Sequence, residues 1–148
     1  MIAALVLAAL MTPAATSAAT AAIVNSGSTN TASFGIVIST DGTAVEMTSG
    51  ARPVRRKLSP AAARAFFSDL GAARPLNRLA VVRCMKSASF GTTTRILWRS
   101  QATPDLSCPS TNAVVLRLSR DIAVIEAQFW GTRLRTQPIA IRRISPAR

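Results

Sequence analysis

Residues 84–108 read C-M-K-S-A-S-F-G-T-T-T-R-I-L-W-R-S-Q-A-T-P-D-L-S-C, opening on Cys84 and closing on Cys108. These are the only two cysteines of the 148-residue chain, and the segment between them carries its clearest strand pattern. Successive strand side chains alternate between faces, so Phe90, Thr92, Thr94, Ile96 and Trp98 share one side. Gly91, Thr93, Arg95 and Leu97 take the other. Arg99-Ser100 supplies a turn, and residues 101–103 a short return strand that Pro104 ends. The stretch predicts a β-hairpin whose outer ends are tied by a disulfide.

Whether the two thiols are oxidised depends on compartment. In a reducing cytosol a cysteine pair more often binds metal or does chemistry, whereas in an exported chain it normally closes. The N-terminus argues for export. Residues 2–11 (I-A-A-L-V-L-A-A-L-M) form an apolar run of leader length, too short to span a bilayer. The small, polar stretch that follows holds Pro13 as breaker and A-T-A at residues 19–21 as a cleavage site. No Lys or Arg precedes the run, so the α-amino group serves alone or a start lies upstream. A buried N-terminal helix is the competing reading, but Ala/Thr-rich flanks cap nothing. The expected organisation is a signal peptide over 1–21, one domain over 22–131 and a basic, disordered or loosely docked tail over 132–148. The expected location is secreted or periplasmic, with no transmembrane segment after leader removal. Closing a loop of about 25 residues should stabilise by about 3 kcal/mol.

The formal charge of +12 is unevenly spread. Arg52, Arg55, Arg56 and Lys57 form a basic patch, and Arg133, Arg135, Arg142, Arg143 and Arg148 crowd the tail. Such charge favours anionic surfaces and says nothing about fold.

In chain order, Ile23 and Val24 begin a strand, followed by the polar link Asn25-Ser26-Gly27-Ser28-Thr29-Asn30. Phe34, Ile36 and Ile38 then alternate up to Asp41-Gly42, the favoured two-residue hairpin turn. Counting outward places Ile38 opposite Val45 and Ile36 opposite Met47, giving one apolar face that needs a cover. Ser59 as N-cap, Pro60 in the first turn and Gly71 as stop predict the covering helix, with Ala63, Phe66, Phe67 and Leu70 on its inner stripe. The unit recurs after a short apolar run at residues 79–82. A second helix over residues 111–130 presents Val115, Leu118, Ile122, Ile125 and Phe129 at spacings of 3, 4, 3 and 4, and Gly131 ends it. The fold class is α+β, ββα-ββα: a four-stranded antiparallel sheet with two helices packed on one face.

The segment K-S-A-S-F-G-T-T-T (residues 86–94), with P-D-L-S-C-P (residues 104–109) and S-G-S-T-N (residues 26–30), resembles a group of small secreted bacterial proteins of unknown function with two cysteines at this spacing. The resemblance covers residues 23–130 and implies an exported, disulfide-tied domain. It assigns no catalytic residue, and the basic patch and arginine-rich tail depart from its pattern.

The chain has no histidine, which removes Ser-His-Asp and Cys-His arrangements and the commonest general base. Six carboxylates remain, of which Asp105 beside the disulfide is the one suggestively placed; a turn or cap role after Pro104 is its simpler reading. A Ser-Lys dyad of Ser87 or Ser89 with Lys86 is opposed by strand alternation, which sends neighbours to opposite faces. Two thiolates are too few for a structural zinc site, and no phosphate-cradling glycine loop occurs. Base stacking lacks an aromatic pair, so nucleic acid is not an expected partner. No cofactor or metal is expected. The candidate surface is Lys86, Ser87, Ser89, Thr93 and Asp105, and the expected function is a non-catalytic binding module for an unknown protein or envelope component. The alternatives are adsorption of the basic segments to envelope polymers or lipid, and a hydrolase built on Asp105 and the strand hydroxyls.

Overall fold

The apolar residues around Ile23, read as the start of a strand, form the middle of the sheet and not its margin. The computed structural model describes residues 19–136. Its strands are Thr20–Asn25 (β1), Phe34–Ser39 (β2), Thr43–Thr48 (β3), Val54–Lys57 (β4), Thr94–Trp98 (β5) and Gln101–Ala102 (β6). They make one antiparallel sheet in the order β4-β3-β2-β1-β5-β6. The expected α+β class with two helices and an antiparallel sheet is what forms. The four-strand count and the ββα-ββα repeat are corrected to six strands, because β1 joins the two halves and the basic segment pairs as β4. The apolar run at residues 79–82 forms no strand.

The β2–β3 register also differs. The connection is three residues, Thr40-Asp41-Gly42, with Gly42 at φ 84 donating its N–H to Ser39 O at 2.8 Å. A three-residue loop closed by a left-handed glycine is a stable hairpin form, and it moves every pairing by one. Val37 faces Val45, and Ile36 faces Glu46. Val45 and Met47 therefore lie on the face opposite the helices. Ala44 and Glu46 point inward, Glu46 at 1% exposure with its carboxylate accepting from the Thr48 hydroxyl.

Ala21, Ile23, Ile36, Ile38, Ala44, Ile96 and Trp98 form the sheet's side of a single core, closed by Pro60–Ala72 (α1) and Ala113–Thr136 (α2). In α1, Ser59 accepts from Ala62 N–H, and Phe66 and Leu70 are fully buried while Phe67 is half-buried. In α2 the expected seam of Val115, Leu118, Ile122, Ile125 and Phe129 is buried throughout. Its cap is Asn112, whose side-chain oxygen accepts from Val114 N–H at 2.9 Å and Val115 N–H at 3.3 Å. The helix continues through Gly131 to Thr136. No helix among the described residues is long and apolar enough to cross a membrane.

The turn between β5 and β6 is Arg99-Ser100, as the sequence suggests, with φ of 49 and 62. Both positions carry side chains where a turn of this kind favours glycine or asparagine, and the Arg99 guanidinium covers the Trp98 ring at 4.6 Å. Ser100→Gly leaves that contact in place and relieves the left-handed strain. It should raise stability by about 0.5–1 kcal/mol after the extra freedom of glycine in the unfolded chain is counted, readable as a rise in the urea midpoint.

Candidate functional site

The motif residues of the sequence converge at one end of the sheet. Asn25, the last residue of β1, donates from Nδ2 to the hydroxyls of Thr92 (3.2 Å) and Thr94 (3.0 Å), while its Oδ1 accepts from Gly27 N–H at 2.9 Å. Ser26 and Thr93 exchange backbone and hydroxyl hydrogen bonds. Ser28 Oγ and Asn30 N–H both donate to Ser89 O. The S-G-S-T-N link is thus stitched to the K-S-A-S-F-G-T-T-T segment. The stitched loop is closed at its base by the Cys84–Cys108 disulfide, with Cα atoms 5.6 Å apart.

Two residues inside the disulfide lies a second clasp. Lys86 Nζ donates to Asp105 Oδ2, to Ser107 Oγ at 2.5 Å and to Thr92 O at 2.6 Å. Asp105 Oδ1 accepts from Thr94 N–H, Ser107 N–H and Ser107 Oγ. Every donor of the ammonium has an acceptor, and the carboxylate is engaged on both oxygens. Of the candidate surface, Lys86 and Asp105 meet in this clasp. Ser87 and Ser89 form a turn, with Ser87 Oγ accepting from Ser89 N–H, and Thr93 lies on the open face of the sheet end. The serine that does approach Lys86 is Ser107, which the spacing along the chain gave no reason to single out.

The basic patch is divided by strand alternation. Arg55 and Lys57 face away from the helices, Lys57 pairing with Asp41 at 3.1 Å. Arg56 turns inward, its guanidinium 5.9 Å from the Phe129 ring centroid. Arg52 lies in the link between β3 and β4, after the turn. The expected basic loop is therefore an edge strand, where cations discourage pairing with another sheet.

The acidic groups make stability depend on pH. Burial works to raise the Asp105 carboxyl, but the bonds from Lys86, Ser107 and Thr94 outweigh it and hold it at about 2. Asp121 goes the other way: burial first, then the charge of Asp69 facing it from α1, pushes it up to about 6. A lowered folded value stabilises above about pH 4 and is lost as pH falls through 2; a raised one stabilises below about pH 4 and is lost as pH rises through 6. Melting temperature should rise as pH drops from 7 to about 4.5 and fall below 4. Asp121→Asn should flatten the upper limb and Asp105→Asn the lower, measured by thermal scans across that range.

The remaining feature is the sheet face that no described helix covers. The pairings align Arg55, Val45, Val37, Ala22, Leu97 and Ala102 in one row across all six strands. The adjacent row is Met47, Gly35, Val24 and Arg95. Val24, Met47 and Leu97 are exposed, and a cleft of about 510 Å³ opens beside Ala22, Val37, Leu97 and Arg99. Sequence reasoning missed Val45 and Met47 on this face because a one-residue difference in loop length decides their side.

No family model, curated protein or solved structure matches the chain.

Proposed function

We propose that this chain is an exported, non-catalytic domain that binds another polypeptide on the open face of its sheet. The observation that carries this reading is the apolar row Val45–Val37–Ala22–Leu97, half-buried at Val45, Val37 and Ala22 and exposed at Leu97, with Arg55 on one side and Arg95 and Arg99 on the other. A contiguous apolar patch rimmed by polar groups is the usual form of an interaction surface. Its cationic rim fits a partner with an apolar centre and carboxylates around it, the charges steering encounter and the row supplying burial. The disulfide fits an oxidising compartment. The Lys86–Asp105–Ser107 clasp supports the non-catalytic reading, since its side chains are engaged with one another and with the backbone.

A photo-crosslinker at position 97, tested in the native compartment, should give a discrete adduct with another polypeptide. The same group at Arg64, on the exposed side of α1, should give none. Met47→Asp should reduce the adduct at least tenfold by burying a carboxylate against the partner's acidic rim. Equal adducts from positions 64 and 97, or an adduct indifferent to Met47→Asp, would remove the sheet face from consideration.

A further inference from the structure

The most exposed apolar side chains cluster at the disulfide-closed loop: Met85 at 102% and Phe90 at 70% within it, and Val82 at 64% two residues before Cys84. They are not on a loose segment. The disulfide, the Lys86 clasp and the bonds from Ser28 and Asn30 to Ser89 hold the loop, so Met85 and Phe90 are kept in water and border one shallow depression. Val82 lines the neighbouring cleft of about 480 Å³, which also takes in Arg83, Arg95 and the disulfide. Neither arginine forms an ion pair or side-chain hydrogen bond among the described residues, and the one carboxylate of the cleft, Asp105, is committed to Lys86.

We propose that this loop is a tip that docks on an anionic lipid surface. Met85, Phe90 and Val82 enter the boundary of the acyl chains, and Arg83 and Arg95 hold the phosphate of a headgroup in the cleft. Guanidinium groups match phosphate geometry, and apolar tips beside cations bind interfaces by adding burial to charge attraction. The hydroxyls of Ser87 and Ser89 on the same loop suit the hydrogen-bonding headgroup layer. Two arginines without an acidic partner beside exposed apolar side chains match the two layers of an anionic lipid surface, phosphate outside and acyl chain within. The tip shares Arg95 with the rim of the Val45–Leu97 row, but Arg83, Met85 and Phe90 belong to the tip alone, so substitutions there test it apart from the sheet face.

The test uses the full chain with nanodiscs of mixed phosphatidylglycerol and phosphatidylcholine carrying a spin-labelled lipid, read by NMR line broadening. The strongest broadening should fall on the Met85 methyl and the Phe90 ring, several-fold above that at Met47 or Leu97. Arg83→Gln should weaken binding about threefold to tenfold, and Met85→Ser with Phe90→Ser at least tenfold, with the amide spectrum otherwise retained. Discs of phosphatidylcholine alone should give little broadening at the tip. Broadening confined to residues 1–18 or 137–148, or centred on the open sheet face, overturns the proposal. So does binding of free glycerophosphate without any lipid-dependent broadening at residues 85 and 90.

Discussion

Cys84→Ser is expected to destabilise the protein by about 2–4 kcal/mol, seen as a lower urea midpoint at unchanged slope. The bridge closes a separation of 24 residues, so its loss releases a sizeable loop in the unfolded chain. The native side is equally exposed to the loss, because β6 has two residues and pairs with Leu97 and Trp98 alone. Beyond it the edge of β5 is finished by side chains: Thr103 Oγ1 accepts from Ile96 N–H and Asp105 Oδ1 from Thr94 N–H, both at 3.0 Å. Those bonds need residues 103–108 held against the strand, and the disulfide is the covalent part of that hold. The Lys86 clasp should keep the variant folded. Mass spectrometry of the unreduced, alkylated chain gives a direct check, and two alkyl groups on natively purified protein would sink the prediction.

Phe129→Ala should cost more, about 3–5 kcal/mol, the usual range for emptying a large aromatic from a packed core. Phe129 is buried where α2 crosses the sheet, and its ring also supports Arg56 of β4. The Arg56 Nη2 bond to Phe129 O, at 3.5 Å, survives the substitution, but the cation–π contact does not. Loosening should therefore reach the edge strand as well as the core. Amide exchange is the informative measurement: protection in Val54–Lys57 should fall by more than the global destabilisation accounts for. An unchanged β4 relative to the rest of the sheet would show that Arg56 takes no support from the ring.

Both helices were legible because their information is local. Val115, Leu118, Ile122, Ile125 and Phe129 repeat at helical spacing, and Ser59-Pro60 announces α1 by the chemistry of its own first turn. The inward set Thr94, Ile96 and Trp98 and the Arg99-Ser100 turn were readable for the same reason, and the cysteine pair because the chain holds no other thiol. Phe90 was misplaced, since period-two alternation continues on paper past Thr94 although the strand begins there. Lys86 and Asp105 were each singled out, but that they meet depends on the return path of the whole hairpin.

The sequence by itself determined the α+β class, the two helical faces and the pairing of the only two cysteines, all of which follow from short-range periodicity or elimination. Tertiary structure alone decided the insertion of β1 between β2 and β5, the recruitment of the basic segment as β4 and the one-residue register that turns Val45 and Met47 outward and Glu46 inward. Those are choices among backbone partners distant in sequence. Backbone hydrogen bonds are nearly alike for every pairing, so the choice is made by how well the resulting face packs against α1 and α2, which no local pattern records.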